Sequence, residues 1–463
     1  MNDRKGFGSN FGFLMAAVGS AVGLGNIWGF PNKMGANGGF PFLILYLALA
    51  LCCGVIIMLG ELALGRKTGH GAVGAYQSIS KRFKWLGWLG IAAAALIFSF
   101  YSALGGYCLR YVVVNFGNLI GAEFGTNGVG GADVFQGLLS QPDVSIAFAL
   151  AFMLITMLVV MSGVGGGIER VCSVGMPALF FILIICIIRS CTLPGAVDGL
   201  KYMFVPGWAV ANGIIDEAPG FWRVLTAAGG QMFFSLSLGA GVMITYGSYL
   251  DKKQDLGKST MIIVGMDTVV ALMAGLCVIP GRFALDPNGA LGGPELLFIT
   301  MQNVFDKMGP AGPVFGILFY LLVFFAAISS SISMLEVIVA HFCDKAREKG
   351  KGDRRKLYSA IAVVICAALC ALVCADGMGS NHISPAELLG LAGAKLPGWS
   401  TSWLGLFDSV AEGLLMPLGA LLMCLMISWE LKPDVLRQEI LLNGENRPWV
   451  YDFFRLCVKY ITP

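Results

Sequence analysis

Two apolar segments of this chain carry groups that core packing does not call for. GSAVGLGN places Gly19, Gly23 and Gly25 ahead of Asn26, and SLSLGAG places Ser235, Ser237, Gly239 and Gly241 in close succession. Glycine inside a helix costs ~1 kcal/mol relative to alanine, and in a bilayer the backbone groups freed by such a break persist only where they line a cavity or bind something. Other apolar stretches bring further polar groups: Asp267, the run Ser329, Ser330 and Ser331, and Tyr101. A lone serine in a span mostly returns its hydroxyl to its own backbone, whereas an intramembrane carboxylate is a functional candidate by default. The chemistry within reach is binding. Gly257-Lys258-Ser259-Thr260 has the end of a phosphate loop, but Lys252 replaces its first glycine and no strand precedes it; there is no HExxH either. Neither ATP hydrolysis nor zinc chemistry has support, so the reading is not an enzyme, and an ion gradient is the remaining energy source.

These groups need membrane helices to hold them. Of 463 residues, 57% are hydrophobic and 13% charged, about half the roughly 25% charge of a soluble domain. Residues 34–60, 85–109, 224–250 and 308–335 contain no Asp, Glu, Lys or Arg, and each exceeds the ~20 residues that cross a bilayer as a helix. A soluble enzyme, a disordered tail and a nucleic-acid binder are excluded, and a net charge of +3 suggests no polyanionic partner. Arg4 and Lys5 precede an apolar run as in a secretory signal, but without a small-residue cleavage site the run reads as a retained first span.

Hydropathy predicts an all-α polytopic membrane protein with helices near 8–33, 40–63, 86–120, 144–163, 170–190, 222–250, 258–283, 310–342, 357–375 and 404–429. Residues 1–430 are then one transmembrane domain of ten helices, and 431–463 a cytoplasmic segment with the start of an eleventh helix too short to cross. The interrupted segments are the first and sixth helices, five apart, so the second half enters from the opposite side and the five-helix repeat is inverted. Unwound helices at matching places in inverted halves point to a secondary transporter with its site at the midplane. With the N-terminus inside, 23 of the 31 Lys and Arg residues fall on the inner side, as the positive-inside rule requires; the location implied is the cell membrane. Thirteen cysteines lie mostly within spans; Cys366, Cys370 and Cys374 share one helix face as small contact residues.

AVGLGNIWGFP (21–31), GIER (167–170), GQMFFSLSLGAGVMITYGSYL (230–250) and FFAAISSSISM (324–334) resemble the neurotransmitter:sodium symporter family in its bacterial amino-acid-transporting branch, with the leucine-transporter-like fold, from Arg4 to about residue 430. The resemblance implies two sodium ions. One is held by the Ala21 carbonyl, Asn26, Ser235, Asp267 and the substrate carboxylate. The other is held by the Gly19, Val22 and Ala326 carbonyls with the Ser329 and Ser330 hydroxyls. Hard oxygen donors suit a hard cation. The substrate carboxylate would meet the Gly23 and Gly25 amides and the Tyr101 hydroxyl, with Ser20 and Ser235 also at the substrate. Ile97, Tyr101, Phe234, Ser237, Ala240, Ser330 and Met334 would line the side-chain pocket. Monoamine-carrying relatives have aspartate at the Gly23 position; glycine leaves room for a real carboxylate, so the substrate expected is an amino acid. Ala240, where many relatives carry a bulky side chain, makes it a large apolar or aromatic one.

Arg4 and Asp344 match the intracellular gate pair, with Phe7 and Tyr249 packing nearby, and Gly167 and Pro177 match residues that let the fifth helix unwind. Other positions depart from the pattern. Gly29 stands in place of the outer-gate arginine and Ala411 in place of its carboxylate partner, with Glu412 adjacent and Asp408 one turn away, leaving Phe234 over Tyr101 to close the site. Tyr46, Gln231 and Ser235 match neighbours of the family's chloride site, but Asp267 replaces its asparagine and Ala271 the glutamate of other chloride-independent members, so no chloride requirement is expected. An emptied Asp267 carboxylate would carry a proton back outward. The partners implied are the amino-acid substrate and the lipid bilayer, with no nucleic acid. A membrane sensor that binds an amino acid without moving it is the alternative.

Overall fold

The uncharged stretches form helix over most of their length, because lipid offers the backbone no hydrogen-bond partner. The computed structural model describes residues 6–126, 128–288, 293, 295–352, 354–391, 400–431, 435–441 and 448–463. The first span is broken into Asn10–Ala21 and Gly25–Ala36, whose axes differ by 43°. The second is Phe40–Thr68, the third Lys81–Ile120, the fourth Pro142–Met161 and the fifth Val164–Cys191. The sixth is Phe221–Ser235 followed by Val242–Gly247, with residues 236–241 outside the helix. The seventh is Leu256–Leu285, the eighth Gly309–Glu348, the ninth Arg355–Gly379 and the tenth Trp403–Glu430. Among the described residues, eight helices are long and apolar enough to cross a bilayer, nine with the bent first span. The sixth falls short only because of its break.

Two halves of five helices thus each open on a broken helix. Several helices outrun the hydropathy-based bounds. Lys81, Arg82 and Lys84 begin the third, and Lys345, Arg347 and Glu348 end the eighth, because hydropathy registers only the part in lipid while the helix continues into water.

The third and eighth spans pack along each other, and the eighth also packs against Asn10–Ala21 of the first span and Val242–Gly247 of the sixth. Small residues bring neighbours close: a Cβ at Gly106 would lie 2.6 Å from the Ala149 nitrogen of the fourth span. In the sixth-span break Ser237 (φ 53°), Gly239 (φ 79°) and Gly241 (φ 73°) are all left-handed, a conformation glycine adopts without cost. After the tenth span, Glu439 reaches back to Arg66 of the second (Oε2 to Nε, 2.8 Å). The helix Pro448–Tyr460 turns Tyr451, Phe454, Cys457 and Val458 inward against the second and tenth spans.

Candidate functional site

At the break of the first span the Gly23 N–H donates to Asn26 Oδ1 (3.0 Å), which folds the asparagine back over the unwound turn. Asn26 Nδ2 then donates to the Asp267 carboxylate (2.8 Å) and to its carbonyl (3.0 Å) on the seventh span. Ser235, the last helical residue before the sixth-span break, donates to the same carboxylate at 2.9 Å, and Tyr46 from the second span at 3.3 Å. Asp267 is fully buried, so four elements converge on one carboxylate.

The expected second set also comes together. Ser329 donates to the carbonyls of Val22 (3.4 Å) and Ala326 (3.0 Å), and Ser330 to those of Gly19 (3.4 Å) and Ser20 (3.2 Å). Ser237 ties the two breaks by donating to the Ser20 carbonyl (3.0 Å), and the Ser20 hydroxyl meets Ser333 (2.8 Å). Ala21, buried in the same turn, is the last residue before the break.

Tyr101 reaches the break from the third span, but the amide that donates to its hydroxyl is that of Leu24 (2.5 Å). Gly23 lies against Tyr101 and Ser330, so that a Cβ there would overlap both hydroxyls, and at Gly25 it would lie 3.0 Å from the Phe234 ring. Phe234 packs edge-on to Tyr101 with centroids 6.3 Å apart, while Ile97, Ala240 and Met334 are buried. The Gly25 carbonyl is taken by Gln231 Nε2 (2.6 Å).

Several residues at the site escaped the sequence reading. Glu61 of the second span accepts the Gly239 N–H (2.6 Å) and faces the Met243 and Ile244 amides, a carboxylate at the start of Val242–Gly247, the second piece of the sixth helix. Its signal was available as an intramembrane acid, but it stands just past the charge-free run that marks the span. At the other end of the first span Lys33 forms an ion pair with Glu412. Gly29 faces Gln231 instead of the tenth span, a Cβ there lying 3.0 Å from Gln231 Oε1.

Ahead of the first span Phe7 packs against Phe13, Tyr246 and Tyr249. Tyr249 donates to Glu336 (2.5 Å), which Arg355 grips with its two terminal guanidinium nitrogens, Nη1 and Nη2 (2.5 and 3.0 Å). Asp344 accepts the Gly71 N–H (3.0 Å) and lies 3.8 Å from Arg347; Arg4 lies outside the described residues. Glu169 of GIER accepts the Gly8 N–H (2.7 Å) and the Ser9 hydroxyl (2.9 Å), and Ser9 caps the first helix. The fifth span runs unbroken past Pro177, with Gly167 in a π-helical first turn.

A model of the sodium:neurotransmitter symporter family matches residues 4–127 and 132–463. The chain belongs to this family. It is 37% identical to an uncharacterized sodium-dependent transporter of Bacillus subtilis over 98% of this chain and 94% of that one. It is 30% identical to another of Methanocaldococcus jannaschii, over 95% and 84%. Among solved structures it superposes on MhsT, crystallised in complex with L-phenylalanine, with a TM-score of 0.84 and 34% identity over 99% of this chain and 97% of that one. The symporter fold therefore accounts for both broken helices and for the multi-pass membrane architecture, and its relatives are sodium-dependent transporters.

Proposed function

We propose that this symporter couples inward movement of two sodium ions to import of a large apolar or aromatic amino acid by alternating access, without chloride and with the N-terminus cytoplasmic. The observation that carries the reading is the buried Asp267 carboxylate ringed by Asn26, Ser235 and Tyr46 beside the first-span break. A buried carboxylate with only neutral donors around it is incomplete electrostatically, and a cation completes it. The first sodium would take Asp267, Asn26, Ser235 and the Ala21 carbonyl, with the substrate carboxylate beside it. The second would take the Gly19, Val22 and Ala326 carbonyls with Ser329 and Ser330, whose hydroxyls already join the two helices that must part when the inner path opens. Binding both ions and substrate draws the broken helices onto the third and eighth spans. Release reverses this on the cytoplasmic side, where Phe7, Tyr249, Asp344 and, as a proposed partner, Arg4 form the gate.

Substrate size is set by Ala240, and the phenylalanine bound by MhsT agrees with it. A phenyl ring buries roughly 100 Å² more than a methyl group, which at ~25 cal/mol per Å² is an upper bound of about 2.5 kcal/mol. In a sodium-dependent thermal-shift screen of the twenty amino acids, tryptophan, tyrosine, phenylalanine and leucine should stabilise the protein at concentrations at least about tenfold below those needed for alanine or glycine. Ala240→Phe should erase that preference. Tighter binding of glycine than of any aromatic amino acid would refute the size assignment.

A further inference from the structure

We propose that Lys33 and Glu412 form the outer lock of this carrier, displaced one turn along the first span and one residue along the tenth from the positions that Gly29 and Ala411 occupy. The inference rests on the transport reading and adds the residues that hold the outside shut. Lys33 lies in the outer half of the first span, beyond the break, and its carbonyl is held by Asn37 Nδ2 (2.8 Å). Glu412 lies in a π-helical turn, Ala411–Leu415. Ala411, the preceding residue, is buried and carries no charge, so Glu412 supplies the carboxylate.

Three observations separate this pair from an ordinary surface contact, which would contribute little. The side chains are 22% and 11% exposed, so the bond is partly shielded from water. The Lys33 ammonium lies 5.9 Å from the centroid of the Phe234 ring, and that ring covers Gly25 and packs on Tyr101. The ion pair therefore pins the aromatic roof of the site from outside. Finally, Gly230 of the sixth span makes room for the carboxylate, since a Cβ there would lie 2.7 Å from Glu412 Oε1. First, sixth and tenth spans meet at this one bond.

Asp408 lies against Glu412 and in the field of Lys33, which makes the lock asymmetric. Loss of the Glu412 charge leaves Asp408 to hold the ammonium, whereas loss of Lys33 leaves two carboxylates facing each other.

The test is the rate at which a membrane-impermeant thiol reagent, applied outside in sodium, reaches a cysteine placed at Ile97 in the full-length protein, with the rate of the parent lacking that cysteine subtracted. Lys33→Met should raise it by about tenfold and Glu412→Gln by only about threefold, while Glu412→Gln with Asp408→Asn should match Lys33→Met. Lys33→Arg, which keeps the charge, should stay within about twofold. A Lys33→Met rate equal to that of the Ile97→Cys reporter alone, or a double carboxylate variant without effect, would overturn the lock. The measurement needs no amino acid: a parent that fails to take up amino acids in sodium sinks the transport reading, while the labelling rates still decide the lock.

Discussion

Asp267→Asn should convert a carrier indifferent to chloride into one that depends on it. Uptake by the parent should be the same in chloride and in gluconate. In the variant, uptake in gluconate should fall by about tenfold or more and recover partly in chloride, because removing a buried charge beside a cation leaves that cation uncompensated. The structure gives the reason for so large an effect: the carboxylate is fully buried and receives hydrogen bonds from Asn26, Ser235 and Tyr46 on three other helices. An asparagine keeps part of this network but not the charge. When sodium and substrate leave, the same carboxylate has no cation and should take up a proton, so internal pH followed during uptake should show protons leaving as sodium enters. A parent that stops transporting without chloride would end the charge argument; uptake with no proton movement would remove only the antiport.

Arg355→Gln should be strongly destabilising. Glu336 has a fully buried side chain, held by Arg355 and the Tyr249 hydroxyl. Removing one partner of a buried ion pair costs ~3–5 kcal/mol because the other charge remains uncompensated, whereas removing both is often close to neutral. Arg355→Gln should therefore lower the thermal midpoint strongly and populate the inward-open state, and adding Glu336→Gln should recover most of the loss. A single variant as stable as the parent, or a double variant worse than the single, would show that the pair is not what holds this end together.

Both broken helices were legible in the sequence because glycine is costly within a helix, so its clustering before Asn26 and after Ser235 needed another explanation. Asp267 was legible because a charge inside an apolar run has no bland reading. The pairings were not. Arg355 stands next to Arg354 and Lys356 and reads as part of the basic loop that sets orientation, while Glu336 sits in an apolar run nineteen residues earlier; only packing shows that they meet. The Lys33–Glu412 pair was missed because the resemblance directed attention to Gly29 and Ala411; Glu412 was noted only as a neighbour of Ala411 and Lys33 not at all. At the first-span break the resemblance implied that the Gly23 and Gly25 amides and the Tyr101 hydroxyl meet the substrate carboxylate; in the structure the unwound turn turns the Leu24 N–H to Tyr101 and that of Gly23 to Asn26. Local patterns locate a break; which way each peptide points depends on the side chains that fill it.

The central claim is coupled transport, and the most direct measurement is accumulation of labelled phenylalanine or leucine in proteoliposomes under an inward sodium gradient. The account predicts accumulation above the external concentration, lost when a sodium ionophore collapses the gradient. Saturable, sodium-dependent binding with no accumulation would contradict it and make the protein a receptor for the same ligand.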